Sequence, residues 1–223
     1  MFLTYQVNIS VGNCDMPLKL PELESARRNA VLNAALKEFA SRGFDNASTN
    51  VIAQEAGISK ALMFHYVNSK QELFLFVYDY FADLLDKEYY GLMDFSERDI
   101  FRRLHQTYLL QLELLKRYPW IFEFSKLSEE THSPEVNKAL EERAHKKQTT
   151  CYPQMFDDID ESRFRAGLDI EKCKQLIYWS NIGFTSQVLE DIRSSESARF
   201  DPESISGKLD EYFQELRKLF YEQ

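Results

Sequence analysis

Apolar residues recur along this chain at spacings of three and four, the period of an α-helix with one buried face. The first such segment extends from about residue 21 to residue 42. Its stripe consists of Val31, Leu32, Ala35, Leu36, Phe39 and Ala40. Gly43 follows at the position where a glycine commonly caps a helix C-terminus. The pattern therefore predicts a first helix that buries this stripe and stops at Gly43.

Eight further helical segments are indicated by apolar stripes and by start signals. We expect them over residues 49–56, 59–67, 69–90, 96–118, 120–124, 133–158, 169–193 and 201–220. The sequence Ser69-Lys70-Gln71-Glu72 is a capping box, and Ser133-Pro134 combines a cap with a proline in the first turn. No segment has the pattern of a convincing strand. The sequence predicts an all-α fold of about nine helices.

Composition supports this fold class and excludes several others. Only 7 Gly and 6 Pro occur among 223 residues, which disfavours β-sandwiches, β-barrels and nucleotide-binding folds with a Gly-rich loop. Because 44% of the residues are hydrophobic and 28% are charged, wholesale disorder is excluded. No apolar run approaches the length of a membrane-spanning helix, and residues 1–15 contain no Lys or Arg of a signal peptide. We expect a cytoplasmic protein in which residues 1–20 form a disordered extension.

Charge is distributed unevenly between the two parts of the chain. Residues 16–70 contain 7 Lys+Arg against 5 Asp+Glu, whereas residues 71–223 contain 20 against 30. The whole chain carries a net charge of −9. A mildly basic N-terminal part (residues 16–70) joined to an acidic remainder (residues 71–223, hereafter the body) is typical of a DNA-contacting module linked to another domain. So small an excess of basic over acidic residues also arises by chance.

Candidate catalytic and metal-binding residues are not found in the sequence. The three cysteines lie far apart and have no metal-ligand spacing with the four histidines. No Gly-rich phosphate loop, nucleophile elbow or paired general acid and base is present. We therefore expect no enzyme activity, no metal and no cofactor.

Residues 49–68 have the spacing of a helix-turn-helix. Ala53 is small where the two helices would cross, and Gly57 lies in the turn, where a positive φ needs no Cβ. Lys60 and His65 lie on the outward face of the second helix, together with the apolar Leu62. The alternative interpretation is a pair of short helices joined by an ordinary turn.

The stretch from residue 25 to residue 85 resembles the DNA-binding domain of the tetracycline-repressor (TetR) family of bacterial transcriptional regulators. The motifs that carry the likeness are Val31-Leu32-Asn33-Ala34-Ala35-Leu36, Phe39, Gly43-Phe44, Ile52-Ala53-Gln54-Glu55-Ala56-Gly57-Ile58-Ser59-Lys60, Met63-Phe64-His65-Tyr66 and Ser69-Lys70-Gln71-Glu72-Leu73. The resemblance implies a homodimer that binds a palindromic operator in double-stranded DNA and responds to a small-molecule effector. It also implies a helix-turn-helix domain over residues 21–70 and a ligand-binding and dimerisation domain over residues 71–223.

Carried over onto this sequence, the DNA contacts of the family fall on a defined set of residues. They are Thr49, Ser59, Lys60, Ala61, Leu62, His65, Tyr66 and Lys70. Phe64 departs from the family, because many members have a tyrosine there whose hydroxyl reaches a phosphate. Leu62 replaces a small polar residue, which favours apolar contact with a thymine methyl group over a hydrogen bond. Both departures are equally compatible with simple packing.

Aromatic residues are concentrated in the body, where 25 of the 31 lie within residues 71–223. Most must belong to the core, but this number is also compatible with a ring-lined cavity for a planar or lipophilic ligand. The candidate lining residues are Tyr108, Leu112, Trp120, Phe124, Tyr152, Phe156, Trp179 and Phe184. The two C-terminal helices each carry an apolar face, which favours a four-helix dimer interface over burial inside one subunit.

The sequence as a whole indicates a ligand-responsive transcriptional regulator, with repression favoured over activation. In this hypothesis, a small lipophilic or aromatic effector releases the protein from its operator. The alternative is a helical small-molecule-binding protein or enzyme whose helix-turn-helix serves protein contacts.

Overall fold

The computed structural model describes residues 24–125, 131–144, 151–194 and 202–221. The predicted N-terminal extension lies outside the described residues. The helices are α1 (Ser25–Asn46), α2 (Thr49–Glu55), α3 (Lys60–Tyr66), α4 (Lys70–Glu88), α5 (Ile100–Arg117), α6 (Ile121–Phe124), α7 (Pro134–Ala144), α8 (Cys151–Phe156), α9 (Ile170–Ser194) and α10 (Pro202–Phe220). Short 3₁₀ turns occupy Tyr90–Leu92 and Glu161–Arg163.

The all-α prediction is confirmed, with two adjustments to the helix boundaries. The segment predicted over residues 133–158 contains two described helices, α7 and α8. The fifth helix begins at Ile100 and not near Ser96, because the buried Asp99 carboxylate caps it by accepting from the backbone N–H groups of Phe101 and Arg102. Among the described residues, the extended pairing is limited to one antiparallel bridge between Phe164 and Tyr221.

Gly43 interrupts the helical path of α1 as the sequence predicts. Its φ of 69° and ψ of 172° lie outside the helical region, in a conformation that favours glycine. One further turn, ending at Asn46, follows before α2 begins. Phe44 in this turn packs edge-on against Phe74 of α4, with 5.2 Å between the ring centroids. Gly43 thus directs the chain back onto the core.

Two apolar cores hold the described helices together. The first contains the buried faces of α1 to α4, the C-terminal half of α5, and residues from α6 and α7. The second contains the N-terminal half of α5 with residues from α8, α9 and α10. Because α4 packs against both α1 and α7, it links the N-terminal helices to the rest of the molecule. The predicted domain boundary at residue 70 stays a prediction.

Two buried charged residues, Arg103 and Asp99, hold together the elements around the N-terminal half of α5. Arg103 is almost fully buried and donates to five backbone carbonyls, among them those of Phe95, Glu97 and Asp157. The buried Asp99 carboxylate accepts from Arg163 and lies 2.8 Å from a guanidinium nitrogen of Arg217. These contacts join α5, α8 and α10. No described helix combines the length and hydropathy that crossing a bilayer requires.

Candidate functional site

The helices α2 and α3 form a tight elbow against α1. The side chains of Ile52 and Met63 are fully buried, and the small Ala53 is buried between the helices. Gly57 turns the chain with a φ of 68°, and the Ile58 N–H donates to the Ala53 carbonyl at 3.0 Å. The helix-turn-helix prediction is therefore confirmed for this segment, since the glycine, the small residue and the apolar contacts occupy their expected places.

The outward face of α3 is open to solvent. The Ser59 hydroxyl caps the helix by accepting from the Leu62 N–H at 3.1 Å. Five of the predicted contact residues lie on α3: Lys60, Ala61 and His65 are exposed, whereas Leu62 and Tyr66 are half-buried. The exposed ring of Phe64 lies 5.9 Å from the Lys60 ammonium group. This surface offers cationic, aromatic and apolar groups to a partner.

The start of α2 contains a further predicted contact residue, Thr49. Thr49 is the first residue of the helix and is half-buried. Ser48 occupies the cap position, but its side chain makes no capping hydrogen bond. Instead, the backbone N–H of Ser48 donates to the Glu38 carboxylate of α1 at 2.9 Å. The Thr49 contact to a phosphate stays a prediction.

Lys70 has a structural role that the sequence did not reveal. Its ammonium group donates to the backbone carbonyls of Asp45 and Ala47 at 2.9 and 3.3 Å and lies 4.7 Å from the Phe44 ring centroid. These contacts tie α4 to the turn between α1 and α2. A phosphate contact by Lys70 stays a prediction, and such a contact would compete with these bonds.

The predicted capping box of α4 is present with a shifted second bond. The Ser69 hydroxyl accepts from the Glu72 N–H at 3.1 Å, as the motif requires. The Glu72 carboxylate reaches back to the N–H of Asn68 at 2.7 Å, one residue before the cap. The N-terminus of α4 is thereby fixed next to α3.

A direct link between the helix-turn-helix and the body passes through Asp45. Its carboxylate accepts from the backbone N–H of His132 at 2.9 Å and lies 3.2 Å from the imidazole Nδ1 of the same residue. Two further hydrogen bonds, at 2.8 and 2.9 Å, join Arg143 of α7 to Asp79 of α4. Sequence reasoning missed both links, because no spacing along the chain connects residues so far apart.

A small cavity lies between α5 and α9. It has a volume of about 10 Å³ and is lined by Tyr108, Gln111, Leu112, Leu115, Thr185, Val188 and Leu189. The Tyr108 hydroxyl donates to the Asn181 carbonyl at 2.9 Å and is 2.5 Å from the Thr185 hydroxyl. Burial raises the pKa of Tyr108 above its ordinary value, so the phenol is neutral at neutral pH.

The predicted ligand-binding residues are only partly brought together. Tyr108 and Leu112 line the cavity, and Phe184 packs edge-on against Tyr108 with 5.7 Å between centroids. The others lie elsewhere: Phe156 packs on the second core, Trp120 and Phe124 belong to the first core, and the side chain of Tyr152 lies outside the described residues.

Trp179 does not line this cavity, and its place in a ligand site stays a prediction. Its side chain is 60% exposed and lies on the same outer face of α9 as the exposed Leu176. The opposite face of α9 supplies Ile177 and Cys173 to the second core. An apolar run of this kind is typical of a helix buried on two faces, but the described residues of the chain cover only one face of α9.

A larger groove of about 330 Å³ lies between α5 and α10. Arg102 and Arg217 flank it, and His105 Nε2 lies 2.8 Å from a carboxylate oxygen of Asp210. It opens to solvent, and no pattern in the sequence predicts it. In the described ranges, no three His, Cys, Asp or Glu residues are grouped so as to hold a metal ion.

Comparison with known proteins places the strongest similarity on the helix-turn-helix. Residues 31–77 match a family model described as bacterial regulatory proteins, tetR family. Over 53 residues the chain is 45% identical to the HTH-type transcriptional regulator BetI of Agrobacterium fabrum, a match that covers 24% of this chain and 26% of BetI. Over 96 residues it is 33% identical to the HTH-type transcriptional regulator RutR of Escherichia coli, covering 43% and 44% of the two chains.

These matches span a quarter to under a half of the curated relatives, whereas similarity of fold extends much further. The ketosteroid transcriptional regulator KstR2 of Mycobacterium tuberculosis superposes with a TM-score of 0.58 at 19% identity. The match covers 90% of this chain and 98% of KstR2. At that identity, the likeness concerns the fold of the body and not its ligand.

Proposed function

Because the N-terminal helices of this chain belong to the tetR family of bacterial regulatory proteins, we propose that the protein is a DNA-binding transcriptional repressor. In this proposal, α3 enters the major groove of an operator, and an effector bound in the body releases it. The observation that carries the proposal is the uncovered face of α3, fixed against α1 and α2 by the elbow at Gly57. We infer that the protein acts in the cytoplasm, where operator DNA is found.

The chemistry of α3 supports groove binding. Lys60 lies in the first turn of the helix and is exposed, so its charge is free to neutralise a phosphate or to meet a guanine edge. The short Ala61 side chain allows close approach to the bases, and Leu62 and Phe64 supply apolar surface for thymine methyl groups. Thr49 and Tyr66 complete the proposed phosphate contacts on either side.

Operator binding with two-fold symmetry requires two copies of α3. Two recognition helices must lie about 34 Å apart to enter successive major grooves, which a two-fold dimer achieves. We assign the dimer contact to α9 and α10, since α9 exposes Leu176, Trp179 and Ile182 on one face. Solvent exposure of such a patch is unfavourable in a monomer, and a second copy would cover it.

Release by the effector requires that the body and the α3 surface move together. The packing of α4 in the first core, the hydrogen bonds of Lys70 to the Asp45 and Ala47 carbonyls, and the Asp45–His132 link provide this connection. A ligand that favours another arrangement of the body would change the spacing of the two α3 helices and so lower operator affinity. The competing class, a helical binding protein or enzyme, has no specific support in the described site.

A gel-shift titration with DNA flanking the gene for this protein tests the proposal. We expect protection of a palindrome and a steep decrease in affinity with salt. Lys60→Ala should weaken binding to the protected site and reduce the salt slope by about one, as the loss of one phosphate contact requires. Lys138→Ala removes an exposed lysine from α7 and serves as the matched control.

Two results would contradict the proposal. If the wild-type protein shows no salt-sensitive binding to any palindrome in that DNA, the protein does not repress the genes next to its own. If Lys60→Ala and Lys138→Ala bind the protected site equally well, α3 is not the contacting surface.

A further inference from the structure

The end of α1 and its connection to α2, residues 45–48 (hereafter the α1–α2 turn), are bonded by two distant parts of the chain. The ammonium group of Lys70, the first residue of α4, donates to the carbonyls of Asp45 and Ala47 at 2.9 and 3.3 Å. On the other side, the Asp45 carboxylate accepts from the backbone N–H of His132 at 2.9 Å. The position of this turn is therefore set by tertiary contacts as well as by α1 itself.

Lys70 acts as a cap for the C-terminus of α1. The carbonyls at the end of a helix have no intrahelical donors and carry a partial negative charge, and a lysine near them can satisfy both needs. The last turn of α1 contains no basic residue of its own. Lys70 supplies that cation from another helix, and its ammonium group also lies 4.7 Å from the centroid of the Phe44 ring, a cation–π contact.

A phosphate contact would take Lys70 away from these bonds. An ammonium group has three donors, and two of them already meet carbonyls of the turn. The side chain is half-buried, so these charge-assisted bonds are shielded from solvent, whereas a contact at the DNA surface is screened by salt. The balance favours a Lys70 that stays on the turn when DNA binds.

The α1–α2 turn leads directly into a proposed DNA contact. Thr49 is the first residue of α2, and only Ser48 separates it from Ala47, whose carbonyl accepts from Lys70. The Ser48 N–H in turn donates to the Glu38 carboxylate at 2.9 Å. Because the backbone on this side of Thr49 is bonded at consecutive residues, a displacement of the turn would displace Thr49 with it.

His132 holds the turn from a segment that is itself fixed to α7. The Thr131 N–H donates to the side-chain oxygen of Asn137 at 2.8 Å, and the Asn137 NH₂ group donates back to the Thr131 carbonyl at 2.8 Å. The N–H group that His132 offers to Asp45 is therefore presented by a rigid support. The turn is clasped between α4 and the start of α7, so loss of the Lys70 bonds would free one of its two sides.

We propose that Lys70 is a positioning residue for operator binding and not a phosphate contact. By holding the α1–α2 turn, it keeps Thr49 at the place where Thr49 meets the DNA backbone. The inference rests on the proposed operator binding, and it replaces the phosphate contact that the family resemblance implies for Lys70.

The salt dependence of operator binding separates the two roles. Lys70→Met keeps the unbranched stem of the side chain but removes its charge and donors. We expect the operator dissociation constant of the full-length variant to rise about tenfold at every salt concentration from about 50 to 200 mM, with the salt slope of the wild type. Loss of a phosphate contact would instead lower the slope by about 0.9. Lys87→Met, at an exposed lysine near the other end of α4, is the matched control and should change neither value.

A double-mutant cycle shows whether Lys70 acts through Thr49. Thr49→Val removes the hydroxyl that the proposal places on a phosphate and keeps the shape of the side chain. Lys70→Met should then raise the dissociation constant much less in the Thr49→Val protein than in the wild type. An independent DNA contact by Lys70, or a general loss of stability, would give the same fold-change in both backgrounds.

Acetylation of lysines in the wild-type protein, read by mass spectrometry, covers the case in which Lys70→Met does not fold. The half-buried and hydrogen-bonded Lys70 should react more slowly than the exposed Lys87 in the free protein, and operator DNA should not change its rate. The exposed Lys60 should react readily in the free protein and become protected by the operator.

The inference is overturned if Lys70→Met binds the operator as tightly as wild type or lowers the salt slope, if the cycle is additive, or if Thr49→Val has no effect. It is equally overturned if the operator protects Lys70 from acetylation as it protects Lys60. All of these results leave operator binding itself intact. Absence of any salt-sensitive operator binding by the wild-type protein would contradict the proposed function, and this inference with it.

Discussion

At the residue scale, Gly57 shows how a single position fixes the elbow between α2 and α3. Its φ of 68° lies in the left-handed region, where a Cβ atom is disfavoured, although no neighbouring atom would obstruct one. The cost of a side chain here is therefore conformational and not steric. The sequence predicted this geometry, because glycine is the residue that adopts it without strain.

We predict opposite effects for two glycine substitutions. Gly57→Ala should lower the free energy of unfolding by about 1 kcal/mol, because alanine must adopt a positive φ. Gly207→Ala, in the exposed middle of α10 with open space around its Cα, should raise it by about 0.5–1 kcal/mol through helix propensity. Urea denaturation of both variants measures the two values. Equal changes in the free energy of unfolding of the two variants would contradict the conformational explanation.

Other residues acquired their roles only from the fold. Lys70 is predicted from the family resemblance to contact phosphate, yet its ammonium group binds the carbonyls of Asp45 and Ala47. The sequence signals that Lys70 begins a helix, but not that the end of another helix lies beside it. The exposure of Trp179 likewise arises only from the fold, since the sequence does not say which faces of α9 the neighbouring helices cover.

At the element scale, the start of a helix can be predicted from the sequence where the capping side chain stands directly before the helix. Ser59 caps α3, and Ser69 caps α4 as predicted. Ser48 lies at the start of α2 without a side-chain bond, and Asp99, not Ser96, caps α5. Where several polar residues stand near a helix start, tertiary packing decides between them. Asp99 is held by its arginine partners and is therefore the one that caps.

The two serines provide a matched pair for testing these caps. Ser69→Ala should lower the free energy of unfolding by about 1 kcal/mol, since the Glu72 N–H loses its acceptor. Ser48→Ala should have an effect near zero, because its hydroxyl accepts no capping bond in the structure. Chemical denaturation compares the variants. If Ser48→Ala lowers the free energy of unfolding as much as Ser69→Ala does, the assignment of the α2 cap is wrong.

At the scale of the whole molecule, the two cores meet along α5 and leave one apolar face without a covering element among the described residues. Leu176, Trp179 and Ile182 form this face on α9. The polar Ser180 of the same helix instead bonds the Tyr212 hydroxyl of α10, at 2.8 Å. Packing of α10 therefore covers one side of α9 and presents the other outward, where the proposed dimer contact lies.

Substitution on this face tests the dimer. Leu176→Asp should raise the dissociation constant of the dimer at least tenfold, because a carboxylate would be buried without a partner, at a cost of more than about 1.4 kcal/mol. Operator affinity should decrease with it, since both half-sites must be held together. Leu92→Asp, at a comparably exposed leucine in the turn after α4, is the control. Sedimentation equilibrium measures the association.

The contrary outcome is equally clear. If Leu176→Asp remains dimeric at the concentrations where wild type is dimeric, the α9 face is not the interface. If Leu92→Asp dissociates the protein as well, the interface lies on another surface.

The sequence by itself determined the helical class, the N-terminal elbow and the composition of the buried stripe on α1. These features depend on neighbours three or four positions apart, on the φ preference of glycine and on caps within one turn, all of which are local. The tertiary structure decided the rest: the Asp45–His132 link, the hydrogen bonds of Lys70 to the Asp45 and Ala47 carbonyls, and the uncovered face of α9. Each of these depends on which helices pack together, and that choice arises from the burial of many side chains at once, which no short segment of the chain encodes.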